Sequence, residues 1–308
     1  MTARLVAALA AASCLALAAC GGGGEDERER VIVALDFTPN AVHAPIYRAR
    51  ADFEIRAPGS APDALKLVTS GRADIGVLDI HDLGLAAERG SDVVGIGALV
   101  QRPLAAIIAR DGVRRPRDLE GKRVGVSGLP SDVAVLRAVL AGDGADIRRV
   151  DQVTIGFAAV PNLVQHKVDA VPAFWNAEGV TLRRRGVRVR EFRVEDFGAP
   201  PYPEVVLFTS RRTLERRRGA VKDALRAIRE GIDSSLADRA AAAEEIARVS
   251  GADVPLVRAQ LDAVAPALRP ALRLDRPVLE RWAAFDERFG ILSRRPDVDR
   301  LFEFDLAP

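Results

Sequence analysis

The chain of 308 residues carries 45 Lys and Arg against 43 Asp and Glu, and its formal charge of +2 includes Arg4 near the start, so nucleic acid is a poor partner for it. Hydrophobic residues at 48% and charged residues at 29% are ordinary for a folded globular body and exclude extensive disorder. Both cysteines, Cys14 and Cys20, lie at the front, so the body beyond them has no disulfide available and must bury a sizeable core, with two lobes expected.

Met1 to Arg4 is a short basic stretch, Leu5 to Ala19 is apolar and alanine-rich, and Leu17-Ala18-Ala19-Cys20 places small residues before a cysteine. This pattern predicts an export signal over 1–19. The apolar run falls short of the roughly 20 residues a membrane span needs and is followed by glycines. The segment resembles the bacterial lipoprotein signal, which implies a lipid on Cys20; the alternative is an ordinary thiol in a plain secretory signal. Gly21 to Gly24 and the charged run Glu25 to Arg30 read as a solvated tether over 20–30.

Val31-Ile32-Val33-Ala34 is β-branched and short, as suits a buried parallel strand, and it ends in Leu35-Asp36-Phe37-Thr38-Pro39-Asn40. Thr38-Pro39-Asn40 is turn chemistry, so the strand delivers a carboxylate, a ring and an amide to one sheet edge, where open α/β sheets bind ligands. The plainer alternative is a β-α turn with a capping Asn. From Tyr47 the chain runs almost directly into Asp52-Phe53, which leaves room only for a two-turn helix or marks a local deletion.

Further strands are expected at 52–57, 73–79, 93–99, 104–109, 122–127, 151–156, 169–174, 188–193 and 204–209, with helical segments between most of them. Such alternation implies α/β architecture with largely parallel sheets flanked by helices. Arg183-Arg184-Arg185 and Arg216-Arg217-Arg218 fall in helical patterns and read as solvated faces. From Thr213 the pattern is helical only, over 214–236, 240–249, 254–268 and 277–289, punctuated by Gly251, Pro270 and Gly290. Trp282, with Leu279, Phe285 and Phe289, forms an apolar face expected in the core. Two apolar strands that open with Pro103 and Pro203 bracket a βα block of the kind a second lobe needs. The expected division is 31–110 plus 211–308 for lobe 1 and 111–210 for lobe 2, with hinge strands near 103–110 and 203–210.

Four stretches together resemble the thiamine-precursor-binding proteins of bacterial ABC importers, a family that also holds the fungal hydroxymethylpyrimidine phosphate synthases. They are Leu35 to Asn40 with His43, Ser70 to Val77, Leu119 to Val126, and Pro296 to Phe302. The resemblance implies a two-lobed type II periplasmic-binding-protein fold with the ligand between the lobes, an ABC permease as partner, a monomer, and a small heterocycle as ligand. Relatives of similar outline bind riboflavin, sulfonates or nitrate. Positions matching the family's cleft motifs are Asp36, Phe37 and Asn40 on the first lobe, and Ser127, Gly128, Trp175, Asn176, Glu178 and Tyr202 on or beside the second.

For an aminopyrimidine, Phe37, Trp175 and Tyr202 can stack, Asp36 and Glu178 can accept from the amine, and Ser127-Gly128 can donate backbone N–H groups. Each has a structural alternative: Trp175 in the core, Asp36 and Glu178 as helix caps, Ser127-Gly128 as a plain turn. The fungal enzymes use a pyridoxal phosphate-bound Lys, a His and a cysteine-rich segment. Here the corresponding positions are Leu78, Asp82 and Gly198-Ala199-Pro200-Pro201-Tyr202-Pro203, so an enzyme of that type is not expected. His43, His81 and His166 lack ligand spacing, and no metal or other cofactor is expected.

Overall fold

The computed structural model describes residues 30–58 and 63–306; the expected leader and Cys20, where a lipid is expected, lie outside the described residues. Ten strands form in chain order: β1 (Val31–Ala34), β2 (Phe53–Arg56), β3 (Ile75–Asp79), β4 (Val93–Val100), β5 (Ala105–Arg110), β6 (Arg123–Val126), β7 (Asp151–Thr154), β8 (Ala170–Phe174), β9 (Val189–Arg193) and β10 (Val205–Ser210). They make two five-stranded sheets, ordered β2-β1-β3-β10-β4 and β7-β6-β8-β5-β9. The central strand β3 and the edge strand β4 are buried along their whole length, whereas the edge strand β7 of the second sheet is mostly exposed, which is why the first two read as continuous apolar runs.

Four strands of each sheet run one way and the fifth runs against them. β1 pairs in parallel with β2 and β3, while β10 is antiparallel to β3 and β4. In the second sheet β6 is parallel to β7 and β8, and β5 is antiparallel to β8 and β9. The two reversed strands are those that open with Pro103 and Pro203. The pairing corrects the expected boundaries: β5 belongs to the second sheet and β10 to the first, so the chain crosses just before each strand. Glu204 ties the crossings together, its Oε2 accepting from the backbone N–H of Leu104 at 2.6 Å and of Ala105 at 3.2 Å.

The helices are α1 (Ala44–Tyr47), α2 (Ala64–Thr69), α3 (Ile80–Glu88), α4 (Pro130–Gly142), α5 (Ala159–Val164), α6 (Val180–Arg184), α7 (Arg211–Ala237), α8 (Arg239–Ser250), α9 (Val254–Val264), α10 (Arg276–Arg288) and α11 (Val298–Leu301). The short link between β1 and β2 is a 3₁₀ turn, Ala41–His43, that runs into α1, so the helix is cut to two turns. α1 lies close on α7 because Gly231 has no side chain; a Cβ there would overlap the Pro45 carbonyl. α7 buries Leu214, Val221, Leu225, Ile228 and Ile232, spaced for one helical face, and Ser210 caps it by accepting from Thr213 N.

One buried cluster runs from the first sheet through α3, α4 and α10 into the second sheet, and Trp282 and Phe285 sit in it. A second lies under α7, α8 and α9, and a third on the outer side of the second sheet. The two sheets are thus joined by packed core on one side and face each other across a cleft on the other.

Candidate functional site

The carboxyl ends of strands β1, β3, β6, β7 and β8 meet around a cavity of about 120 Å³ between the two sheets. After β1, Asn40 caps the 3₁₀ turn, its Oδ1 accepting from Val42 N at 2.9 Å. Asn40 N–H in turn donates to Nδ1 of the buried His43 at 3.2 Å, so the imidazole proton sits on Nε2, which donates to Asp36 Oδ1 at 2.8 Å. One Asp36 oxygen is held by this relay and Oδ2 is left to accept from a ligand. Phe37 projects across the cleft and its ring meets that of Phe157, centroids 4.3 Å apart and planes 57° apart.

After β3, Asp79 caps α3 by accepting from His81 N at 2.7 Å, and Asp82 follows in the first turn. Asp82 reaches the second-sheet side: its Oδ1 accepts from Ser131 N at 3.2 Å and its Oδ2 from Ser131 Oγ at 3.0 Å. Burial pushes Asp82 up to about 6 against the pull of these Ser131 bonds. Burial also raises Asp79 well above the usual carboxylate range, with the neighbouring Glu204 adding to it. Asp132 and Glu178 are likewise raised by burial.

The expectation that Ser127-Gly128 offers free donors to a ligand is corrected. Ser127 N–H already donates to the Asp132 carboxylate, and Ser127 Oγ accepts from Leu129 N at 3.2 Å. Asp82 caps the first turn of α4 at Ser131 and Asp132 sits within that turn, so an incoming anion would meet two carboxylates of the chain itself. Ser127 lines the cavity; Gly128, in a left-handed turn at φ 99°, does not.

The turn after β8, Trp175–Gly179, is a single π-helical turn. It sends Phe174, Ala177 and Glu178 to the cavity, and Glu178 Oε2 folds back to accept from Phe174 N at 3.1 Å. Trp175 points away: its Nε1 donates to the Pro103 carbonyl at 3.2 Å and the Arg193 guanidinium covers its ring at 4.2 Å. Asn176 is fully buried outside the cavity lining. Tyr202 is fully buried in the core beside the crossings, its ring 4.9 Å from that of His81.

Of the nine expected ligand residues, the structure brings Asp36, Phe37, Asn40, Ser127 and Glu178 to one cavity and leaves Gly128, Trp175, Asn176 and Tyr202 out of it. Phe157, Asp79, Asp82 and Asp132 also line it and were not singled out from the sequence. Ile155-Gly156-Phe157 carries the same signal as Asp36-Phe37, a ring just past a strand end. The lining holds five carboxylates, Asp36, Asp79, Asp82, Asp132 and Glu178, three Phe, and neither Lys nor Arg.

Residues 40–242 match the family described as NMT1/THI5 like. A formylaminopyrimidine-binding protein of Halalkalibacterium halodurans is 29% identical over 203 residues, 62% of this chain and 62% of that protein. A 4-amino-5-hydroxymethyl-2-methylpyrimidine phosphate synthase of Legionella pneumophila is 27% identical over 171 residues, 50% of this chain and 52% of that one. The chain thus spans between half and two thirds of these relatives' lengths. Among solved structures, the alkanesulfonate-binding protein SsuA of Xanthomonas axonopodis pv. citri, bound to MOPS, superposes with a TM-score of 0.71 at 19% identity, over 89% of this chain and 98% of that one. That likeness is one of fold, and it agrees with the two-sheet periplasmic-binding architecture expected from the sequence.

Proposed function

The chain belongs to the NMT1/THI5-like family, and from that premise we propose that it is the solute-binding receptor of an ABC importer, taking a thiamine-related pyrimidine of the hydroxymethylpyrimidine or formylaminopyrimidine type into the cleft. The observation that carries this reading is the cavity lining: carboxylates that accept from an exocyclic amine, and Phe rings that cover a flat heterocycle. A sulfonate receptor needs cationic or free N–H donors, and this lining has no Lys or Arg, a helix start already capped by Asp82 and a Ser127 N–H already given to Asp132.

The pyridoxal phosphate chemistry of the synthases does not fit these residues. Leu78 lines the cavity where a Schiff-base Lys would have to stand, and none of the chain's four Lys is in the lining. We therefore read the chain as a receptor and not an enzyme. Export and anchoring rest on the leader pattern and Cys20; the Cys20→Ala chain should leave the membrane fraction, and its retention there would remove the anchor from this reading.

The test is thermal unfolding of the protein with hydroxymethylpyrimidine, formylaminopyrimidine, riboflavin and taurine. Ligand at 100 times its dissociation constant adds ~2.7 kcal/mol, a rise in Tm of roughly 5 to 10 °C for a chain of this size. A rise with a pyrimidine alone supports the receptor and its ligand class. A rise with taurine or riboflavin and none with a pyrimidine overturns the ligand.

A further inference from the structure

The charge around the cavity is unbalanced. Its five carboxylates come from both sides of the cleft, and among the described residues none of them pairs with a Lys or Arg. Three of them are held by groups that bring no compensating cation, His43 Nε2–H on Asp36, Ser127 N–H on Asp132 and Phe174 N–H on Glu178, whereas Asp79 and Asp82 have the buried His81 close by. Buried negative charge without a counter-ion is costly, and in the core of this protein it is matched; the fully buried Asp286, for example, faces His81 at 2.9 Å. Burial raises Asp79, Asp82, Asp132 and Glu178, and a cation entering the cleft is the partner that would hold such groups in their charged form.

Two observations say what kind of positive group it is. Among the described residues no three His, Cys, Asp or Glu side chains converge as they would to hold a metal ion, so the carboxylates surround a space and do not share a point. The same space is faced by Phe37, Phe157 and Phe174, and aromatic faces attract organic cations.

We infer that the cleft selects its ligand by charge: it binds a flat ring as a cation, with the positive edge held by Asp36 from the first sheet and Glu178 from the second, and the ring face against Phe37 and Phe157. This deepens the receptor reading and rests on the same cavity, but it names a property that a neutral heterocycle would not satisfy. For an aminopyrimidine it means binding in the ring-protonated, amidinium-like form, in which the amine and the adjacent ring N–H both donate.

The experiment is calorimetric titration of the protein with three rings of matched shape, benzamidine, benzamide and benzoate, alongside hydroxymethylpyrimidine. Benzamidine should bind at least about tenfold more tightly than benzamide, and benzoate should not bind. Asp36→Asn and Glu178→Gln should each shrink the ratio of benzamidine to benzamide affinity, with an unaltered melting temperature to show that the variant is folded. Equal affinity for benzamidine and benzamide overturns the charge selection, and if hydroxymethylpyrimidine still binds, the receptor reading survives. A benzamidine preference without binding of any pyrimidine keeps the charge selection and overturns the pyrimidine reading. No binding of any of the four overturns both.

Discussion

At the scale of single residues, the most exacting position is His81. It is fully buried with Nδ1 2.9 Å from Asp286 Oδ2, and Tyr202, Trp282 and Phe285 pack around it. Burial alone would lower its pKa, but Asp286, Asp79 and Glu204 outweigh that and raise it from 6.5 to about 10. A histidine whose folded pKa lies above its unfolded value stabilises fully below the unfolded pKa. That stabilisation is lost as pH rises through the folded one, here between 6.5 and about 10. The melting temperature should fall across that window. His81→Gln should cost about 3 to 5 kcal/mol at neutral pH by leaving Asp286 unpaired in the core, and should flatten the fall. Identical pH slopes for the two proteins would defeat the assignment. Nothing in the stretch Asp79-Ile80-His81-Asp82 announces this network, because the residues that set it, Glu204 and Asp286, come from distant parts of the chain.

At the scale of elements, α4 is unusual in taking its cap from another element. Leu129 occupies its N-cap position and supplies no side-chain bond, and Asp82 of α3 accepts from Ser131 in its place. The helix start and the contact between the two sheet bodies are therefore one interaction. Asp82→Ala should remove a cap of ~1 kcal/mol and loosen the cleft. Small-angle scattering of the ligand-free variant should show a larger radius of gyration than the parent, and an unchanged radius would show that other contacts set the closure. The elements themselves were legible: the ten strands of the described residues fall at the expected positions, most of them on short apolar runs, and the four C-terminal helices α7 to α10 fall where spaced apolar residues placed them. What was hidden is side-chain direction at strand ends. Trp175 read as a stacking ring because it follows β8, but the π-helical turn aims Phe174 and Glu178 at the cavity and Trp175 at Pro103 and Arg193. Tyr202 beside the crossing strand read as part of the cleft for the same reason, and tertiary packing took it into the core.

At the scale of the whole molecule, the two Pro-opened strands, expected as hinges, pair within the sheet that follows each crossing, β5 in the second and β10 in the first. Pairing decides membership, and the Glu204 bonds to Leu104 and Ala105 show how tightly the two passages are coupled. The interleaving also dictates a timetable. Among the described residues β4 has β10 as its only neighbour in the first sheet, and β10 is synthesised after every strand of the second sheet. As the chain leaves the ribosome, β1, β2 and β3 can associate early, but β4 waits with an unpaired edge until β10 arrives, and such long-range pairing is slow. This strand order keeps the first sheet open until nearly all of the chain has been made.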